Sequence, residues 1–134
     1  MAGPKRILIA GGGIGGMTAA AALLQRGFDV AIFEQAGELR EVGAGIQISP
    51  NGNRALDSIG AFETLRTLSC RAERKEVRLW NTGKVWKLFD LGPAALERYG
   101  YPYLTVYRPD LLTAVSDAVL RQRPDVLHLN ARCA

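Results

Sequence analysis

The sequence predicts an α/β fold built on a parallel strand–helix–strand unit, and three observations predict it. Residues 5 to 34, KRILIAGGGIGGMTAAAALLQRGFDVAIFE, hold two apolar runs with a glycine cluster and an alanine-rich stretch between them. Gly11, Gly13 and Gly16 keep the G-x-G-x-x-G spacing, and an acid, Glu34, closes the second apolar run. Together they form the fingerprint of a Rossmann-like domain that holds a dinucleotide.

Lys5 to Ala10, with Ile7, Leu8 and Ile9 in a continuous run, suits a strand buried on both faces. In the turn that follows, the first glycine permits a tight bend, the second lets backbone approach a pyrophosphate, and the third lets helix and strand pack closely. A side chain at any of the three is expected to intrude. The helix spans Ile14 to Arg26, with Ala20 and Ala21 against the sheet and Leu23 and Leu24 in the core; Gly27 ends it. Its free N–H groups and positive dipole end point at the phosphates. Asp29 to Phe33 is the second strand, and Glu34 at its tip accepts hydrogen bonds from the ribose hydroxyls while disfavouring a 2'-phosphate. The glycine spacing does not separate FAD from NAD, because both present the same ADP half.

Gln35 to Ser49 reads as a glycine-rich loop ending in an extended piece, Gly45 to Ile48. Gly43 and Gly45 suggest backbone passing close to something flat or bulky. Arg40 suits either a cation near phosphate or a solvent-facing side chain. Ser49 and Pro50 open a helix that ends at Ile59 before Gly60, and a second short helix covers Ala61 to Leu68. Glu76 to Asn81 and Lys84 to Phe89 are strands of a hairpin turning at Asn81, Thr82 and Gly83. Val77 and Leu79 share one face with Trp80 on the other, and Trp80 and Trp86 either pack together or line a cavity. Leu91 to Gly100 is irregular or briefly helical, Tyr103 to Tyr107 is a strand, and Arg108, Pro109 and Asp110 open a helix with Leu111, Leu112, Val115 and Val119 on one side. Val126 to Leu129 returns as the last strand. The hairpin breaks the strand–helix alternation and reads as an insertion, or as the chain's first visit to a second domain.

At 134 residues the chain has the length of one domain. Its net charge of +4 comes without basic runs interleaved with aromatics, which argues against nucleic acid as a partner. Cys70 and Cys133 are far apart, and the single histidine, His128, lies in an apolar run, so no metal site is expected. Lys5 and Arg6 precede only a short apolar stretch, and no run approaches the length of a membrane span. A cytoplasmic protein with reduced cysteines and no membrane partner is the expectation.

Four pieces together, GGGIGG at 11 to 16, FEQA at 33 to 36, REVGAGIQISPN at 40 to 51 and YRPDLL at 107 to 112, resemble the N-terminal part of the single-component FAD-dependent aromatic hydroxylases. That family includes salicylate hydroxylase, 3-hydroxybenzoate 6-hydroxylase and 6-hydroxynicotinate 3-monooxygenase. The resemblance covers essentially the whole chain, and the preference for FAD over NAD rests on it. It implies a glutathione-reductase-type FAD-binding domain, incomplete and carrying a β-hairpin insertion. It also implies that residues 1–134 are the N-terminal part of that domain, with the second FAD segment and the substrate domain absent from this chain.

The resemblance places Gly15, Glu34 and Gln35 along the ADP half, beside the Gly11, Gly13 and Gly16 that the spacing assigns to the cofactor turn. It places Val42 to Gln47, with Gly45 and Gln47 among them, beside the ribityl chain and flavin ring. Arg108 reaches the cofactor from the start of its helix, and Cys133 lies near the adenine, where backbone matters more than the thiol. Some relatives carry histidine where this chain has Gln47. In such enzymes NAD(P)H is the co-substrate that reduces the flavin, and oxygen is then transferred to an activated ring of a small aromatic substrate. No residue of the chain is nominated as catalytic. An NAD-binding dehydrogenase or reductase and a non-catalytic nucleotide-binding fragment are the alternatives. Lacking its covering strand and helix, such a fragment is expected to expose a sheet edge, self-associate and bind FAD weakly.

Overall fold

The computed structural model describes residues 5–40 and 42–134, so Glu41 of the REVGAGIQISPN segment lies outside the described residues. In chain order the elements are β1 (Arg6–Ala10), α1 (Ile14–Leu24), β2 (Asp29–Phe33), β3 (Gly45–Ile48), α2 (Pro50–Ser58), α3 (Phe62–Leu68), β4 (Cys70–Arg71), β5 (Arg74–Arg78), β6 (Val85–Asp90), α4 (Pro93–Tyr99), β7 (Leu104–Tyr107), α5 (Arg108–Gln122) and β8 (Leu127–His128).

β1, β2 and β8 make a parallel sheet in that order, with Arg6 opposite Asp29 and Ala10 opposite Phe33. α1 crosses between the first two strands and packs on β2 and α5. Met17, Ala20 and Ala21 of α1 are fully buried, and the two alanines leave room for α5, which buries Leu111, Leu112, Ala114, Val115, Ala118 and Val119. Each valine, leucine or isoleucine so buried contributes roughly 1.5–3 kcal/mol of transfer free energy. Leu23 and Leu24 are only partly buried, contrary to expectation. The contact face of the helix is taken by its small residues, which displaces the leucines to the margin.

β2 shows the burial expected of a central strand, since Val30, Ala31 and Ile32 are all inside. β1 does not. Its burial alternates, and Leu8 is 65% exposed. Among the described residues β1 is the edge of the sheet, with β2 as its one strand partner, so one face and one edge lack cover.

A second sheet, β3-β7-β4, is antiparallel, pairing Gly45 with Tyr107 and Ile48 with Leu104. The two-residue β4 was not foreseen; it exists only because β7 offers it an edge. Asn53 of α2, fully buried, donates to Pro102 O at 2.9 Å and to Ile48 O at 3.3 Å, stitching the end of β3 to the approach of β7. β5 and β6 form the expected hairpin as a separate two-stranded sheet, but its first strand lies earlier, its second starts and ends one residue later, and its loop is longer than predicted. Gly83, at φ +68°, donates to Leu79 O at 2.9 Å, closing a turn that includes Trp80 and Asn81. Trp80 is therefore in the loop and 95% exposed, while Trp86 pairs across the hairpin with Val77 and carries Lys84 Nζ 5.0 Å from its ring. The tryptophans do not pack on each other.

The last strand is also shorter than predicted. After His128 the chain turns at Asn130, which takes φ +55°, a left-handed conformation asparagine tolerates. Asn130 N then donates to Ala36 O at 3.0 Å and Ala131 N to Glu34 O at 2.8 Å, which folds residues 130–133 over the tip of β2.

Candidate nucleotide site

The glycine turn does three separate things. Gly11 adopts φ +104°, which an L side chain rarely takes, and its N–H donates to Phe33 O at 2.8 Å, fixing the turn against the end of β2. A Cβ on Gly16 would collide with the carbonyl oxygen of Gly11, so this glycine serves the close helix–strand contact. At Gly13 a Cβ would meet nothing within 4 Å, and the same holds at Gly11 and Gly15. Backbone conformation therefore excludes a side chain at Gly11 and close packing excludes one at Gly16, while among the described residues the space over Gly13 and Gly15 is open, so a side chain at Gly13 would intrude only on a ligand.

That open space faces the start of α1. Gly13 is its N-cap with ordinary extended backbone, no side chain caps the helix, and its first turn holds no acid. The exposed N–H groups and the dipole end together favour an anion.

Glu34 stands beside this turn. Its carboxylate accepts from Gly12 N at 2.7 Å and from Ala36 N at 2.9 Å. These amides, Ala36 first, hold its carboxyl below the usual carboxylate range against the opposing effect of desolvation. An ionised carboxylate offers about four acceptor positions. Gly12 and Ala36 take two of them and the Gln35 amide also acts on the group, which leaves acceptor capacity for a sugar hydroxyl. Gly12, which the sequence did not single out, is the residue that locks this acid: it is buried, and a Cβ on it would come within 2.9 Å of Leu39 Cδ2 and 3.2 Å of Glu34 Cβ.

Two clefts flank Glu34. One, about 180 Å³, is lined by Ala10, Gly11, Phe33, Glu34, Gln35, Ala131 and Cys133; the other, about 200 Å³, includes Gly12, Gly13, Ala36, Leu39 and Arg40. The fold therefore brings Gly11, Gly13, Glu34, Gln35 and Cys133 together, although Cys133 is a hundred residues away in sequence. Arg40 sits on the rim of the second cleft, paired with Glu38 at 3.3 Å. It is exposed and lines the same cleft as Gly13.

Gly45 and Gln47 are elsewhere, on β3. Gln47 Oε1 accepts from Tyr103 Oη at 3.2 Å. The flat group expected near Gly43 is the ring of Tyr107, with which a Cβ on that glycine would overlap; Gly45 has only Val106 O, at 3.9 Å. Arg108, the half-buried first residue of α5, donates its backbone N–H to Ala44 O at 3.2 Å, which ties the 43–45 segment to the helix start. The predicted residues thus form one cluster at the turn and a second along β3 and the head of α5.

The model of an NAD(P)-binding Rossmann-like domain matches residues 9–40, the unit just described. Over 96% of its length the chain is 38% identical to a 3-amino-4-hydroxybenzoate 2-monooxygenase of Streptomyces platensis, covering 32% of that protein. It is 39% identical over 90% of its length to a 6-hydroxynicotinate 3-monooxygenase of Pseudomonas fluorescens, again covering 32%. Among solved structures, the tetrameric form of 2-methyl-3-hydroxypyridine-5-carboxylic acid oxygenase superposes with a TM-score of 0.82 at 30% identity, over 98% of this chain and 33% of that one. Klebsiella pneumoniae HpxO complexed with FAD and uric acid superposes with a TM-score of 0.79 at 27% identity, over 97% of this chain and 32% of that one. The Rossmann-like fold is that of these oxygenases, and the homologues are of the kind the motifs resemble. The chain spans about a third of the length of the curated relatives it matches.

Proposed function

We propose that this chain is the FAD-binding N-terminal portion of a flavin-dependent monooxygenase that hydroxylates a small aromatic acid using NAD(P)H and O2. The observation that carries the reading is the open cradle of uncapped amides at Gly13 to Gly16 beside the amide-held carboxylate of Glu34. The likeness to monooxygenases acting on hydroxybenzoate and hydroxynicotinate rings, and to an oxygenase complexed with FAD, supports FAD as the occupant.

In this reading the amides at the head of α1 take the pyrophosphate, with Arg40 adding positive charge at the rim. Glu34 accepts from the ribose hydroxyls through its remaining lone pairs. Gln35, Ala131 and Cys133 border the adenine cleft, and Gly45, Gln47 and Arg108 hold the flavin half. When bound, FAD supplies electron transfer from NAD(P)H and the activation of oxygen. The chain's own contribution is binding and orientation, and no side chain in it is assigned as a catalytic acid or base. Among the described residues no helix is long and apolar enough to cross a membrane. We take the protein to act in the cytoplasm, without nucleic-acid or membrane partners, on a small-molecule substrate.

The match of residues 9–40 to an NAD(P)-binding domain favours a second reading, a dehydrogenase or reductase with NAD in the turn. That segment recognises only the ADP half, which NAD and FAD share. One experiment separates them. Purified complete protein containing this chain should show a flavin spectrum and oxidise NAD(P)H faster when an aromatic acid is added. A colourless folded protein that binds NAD tightly would establish the dehydrogenase instead.

A further inference from the structure

We propose that Tyr103 is a positioning residue for the flavin half of the cofactor: its hydroxyl holds the Gln47 side chain so that the amide NH2, and not the amide carbonyl, is what β3 presents. The inference rests on the function proposed above and goes beyond it, because neither the glycine turn nor the motifs at 40 to 51 and 107 to 112 include Tyr103. Side chains alternate between the two faces of a strand. In the β3–β7 pair Ile46, Ile48, Leu104 and Val106 turn to the core, which leaves Gly45, Gln47, Thr105 and Tyr107 on the outer face.

Gln47 stands opposite Thr105 in the register, so Tyr103 is its diagonal neighbour, within reach of an aromatic side chain. Tyr103 Oη donates to Gln47 Oε1 at 3.2 Å. Chemistry fixes the direction of this bond, since an amide oxygen only accepts. The carbonyl end of Gln47 is thereby engaged, and its side chain makes no other hydrogen bond to a described residue. What remains is an NH2 group with two donors, which suits the carbonyl and ring-nitrogen acceptors of a flavin or the hydroxyl oxygens of its ribityl chain.

The backbone around this pair is held from both ends, so the bond acts on the side chain and not on the strand. Asn53, fully buried, donates to Ile48 O, next to Gln47, and to Pro102 O, next to Tyr103. At the other end of β3 the Tyr107 ring lies where a Cβ on Gly43 would go, and Arg108 N donates to Ala44 O at 3.2 Å. Loss of the Tyr103 hydroxyl should therefore free the Gln47 side chain without moving β3, and the ordering of that side chain then opposes binding.

Dissociation constants of the chain for FAD, by flavin fluorescence anisotropy, and for ADP, by equilibrium dialysis, test the inference in the wild type, Y103F, Q47A and the double variant. FAD should bind more tightly than ADP to the wild type. Y103F should lower FAD affinity about threefold to tenfold, the range of one neutral hydrogen bond, and leave ADP affinity unchanged. In the Q47A background, where no amide is left to position, Y103F should lower FAD affinity no further. Unchanged FAD affinity in Y103F, an equal loss in the two backgrounds, or a matching loss of ADP affinity would each overturn the positioning role and leave the flavin reading in place. Equal binding of FAD and ADP by the wild type would overturn both.

Discussion

Glu34 and the glycines around it carry the account at the level of single residues. The carboxylate is held by two backbone amides and keeps acceptor capacity for a sugar. Its substitution by glutamine should weaken FAD binding on the order of 10–100-fold, the range expected for hydrogen bonds to a charged group, as read by flavin fluorescence. The same group sets an acid dependence. Its pKa is lowered in the folded state, so its stabilising contribution is complete above the unfolded-state value and fades as pH falls through the lower native one. Urea midpoints measured across acid pH should therefore fall less steeply in E34Q than in the wild type; parallel curves would contradict the amide contacts. G16A should destabilise the fold by about 1–3 kcal/mol, because the new methyl has a backbone carbonyl in its place and nowhere to move. The motif made the glycines and the acid legible. It could not reveal that Gly12 donates to Glu34, since spacing reports which residues are bare and not which amide an acid will find. Nor could it reveal that the flat neighbour of Gly43 is Tyr107, sixty-four residues on.

Elements whose identity rests on local pattern were the most legible. α1 begins where expected, and β2 and β3 have their predicted bounds, because glycine punctuation and apolar runs act within a few residues. Burial was read less well. β1 has the composition of a central strand, yet Leu8 is exposed, because burial depends on what lies alongside and not on the strand itself. β4 and the reach of residues 130–133 over β2 depend on distant partners and left no periodic signal. The hairpin is the extreme case: Val77, Trp86, Leu88 and Phe89 are exposed, and a two-stranded ribbon alone is marginal in water. Its ladder amides should exchange hydrogen faster than those of β2 and α5, measured in dilute solution; equal protection would mean that the ribbon is covered.

For the molecule as a whole, a β1 edge with no strand partner other than β2 among the described residues and an apolar ribbon lie on one chain that spans about a third of the length of its curated relatives. Such surfaces pair with other copies. Sedimentation of the isolated chain should show concentration-dependent self-association, and a monomer at every concentration would contradict this. The central claim, that a dinucleotide lies over the bare turn, is tested most directly by titrating the chain into dilute FAD and comparing the wild type with G13A by flavin fluorescence anisotropy. A methyl at Gly13 has room in the protein and an allowed backbone, so the fold should lose no more than about 1 kcal/mol, the difference between glycine and alanine at an N-cap, while FAD affinity falls at least about tenfold, as backbone no longer approaches the phosphates. Equal FAD affinity in the two chains would contradict the account.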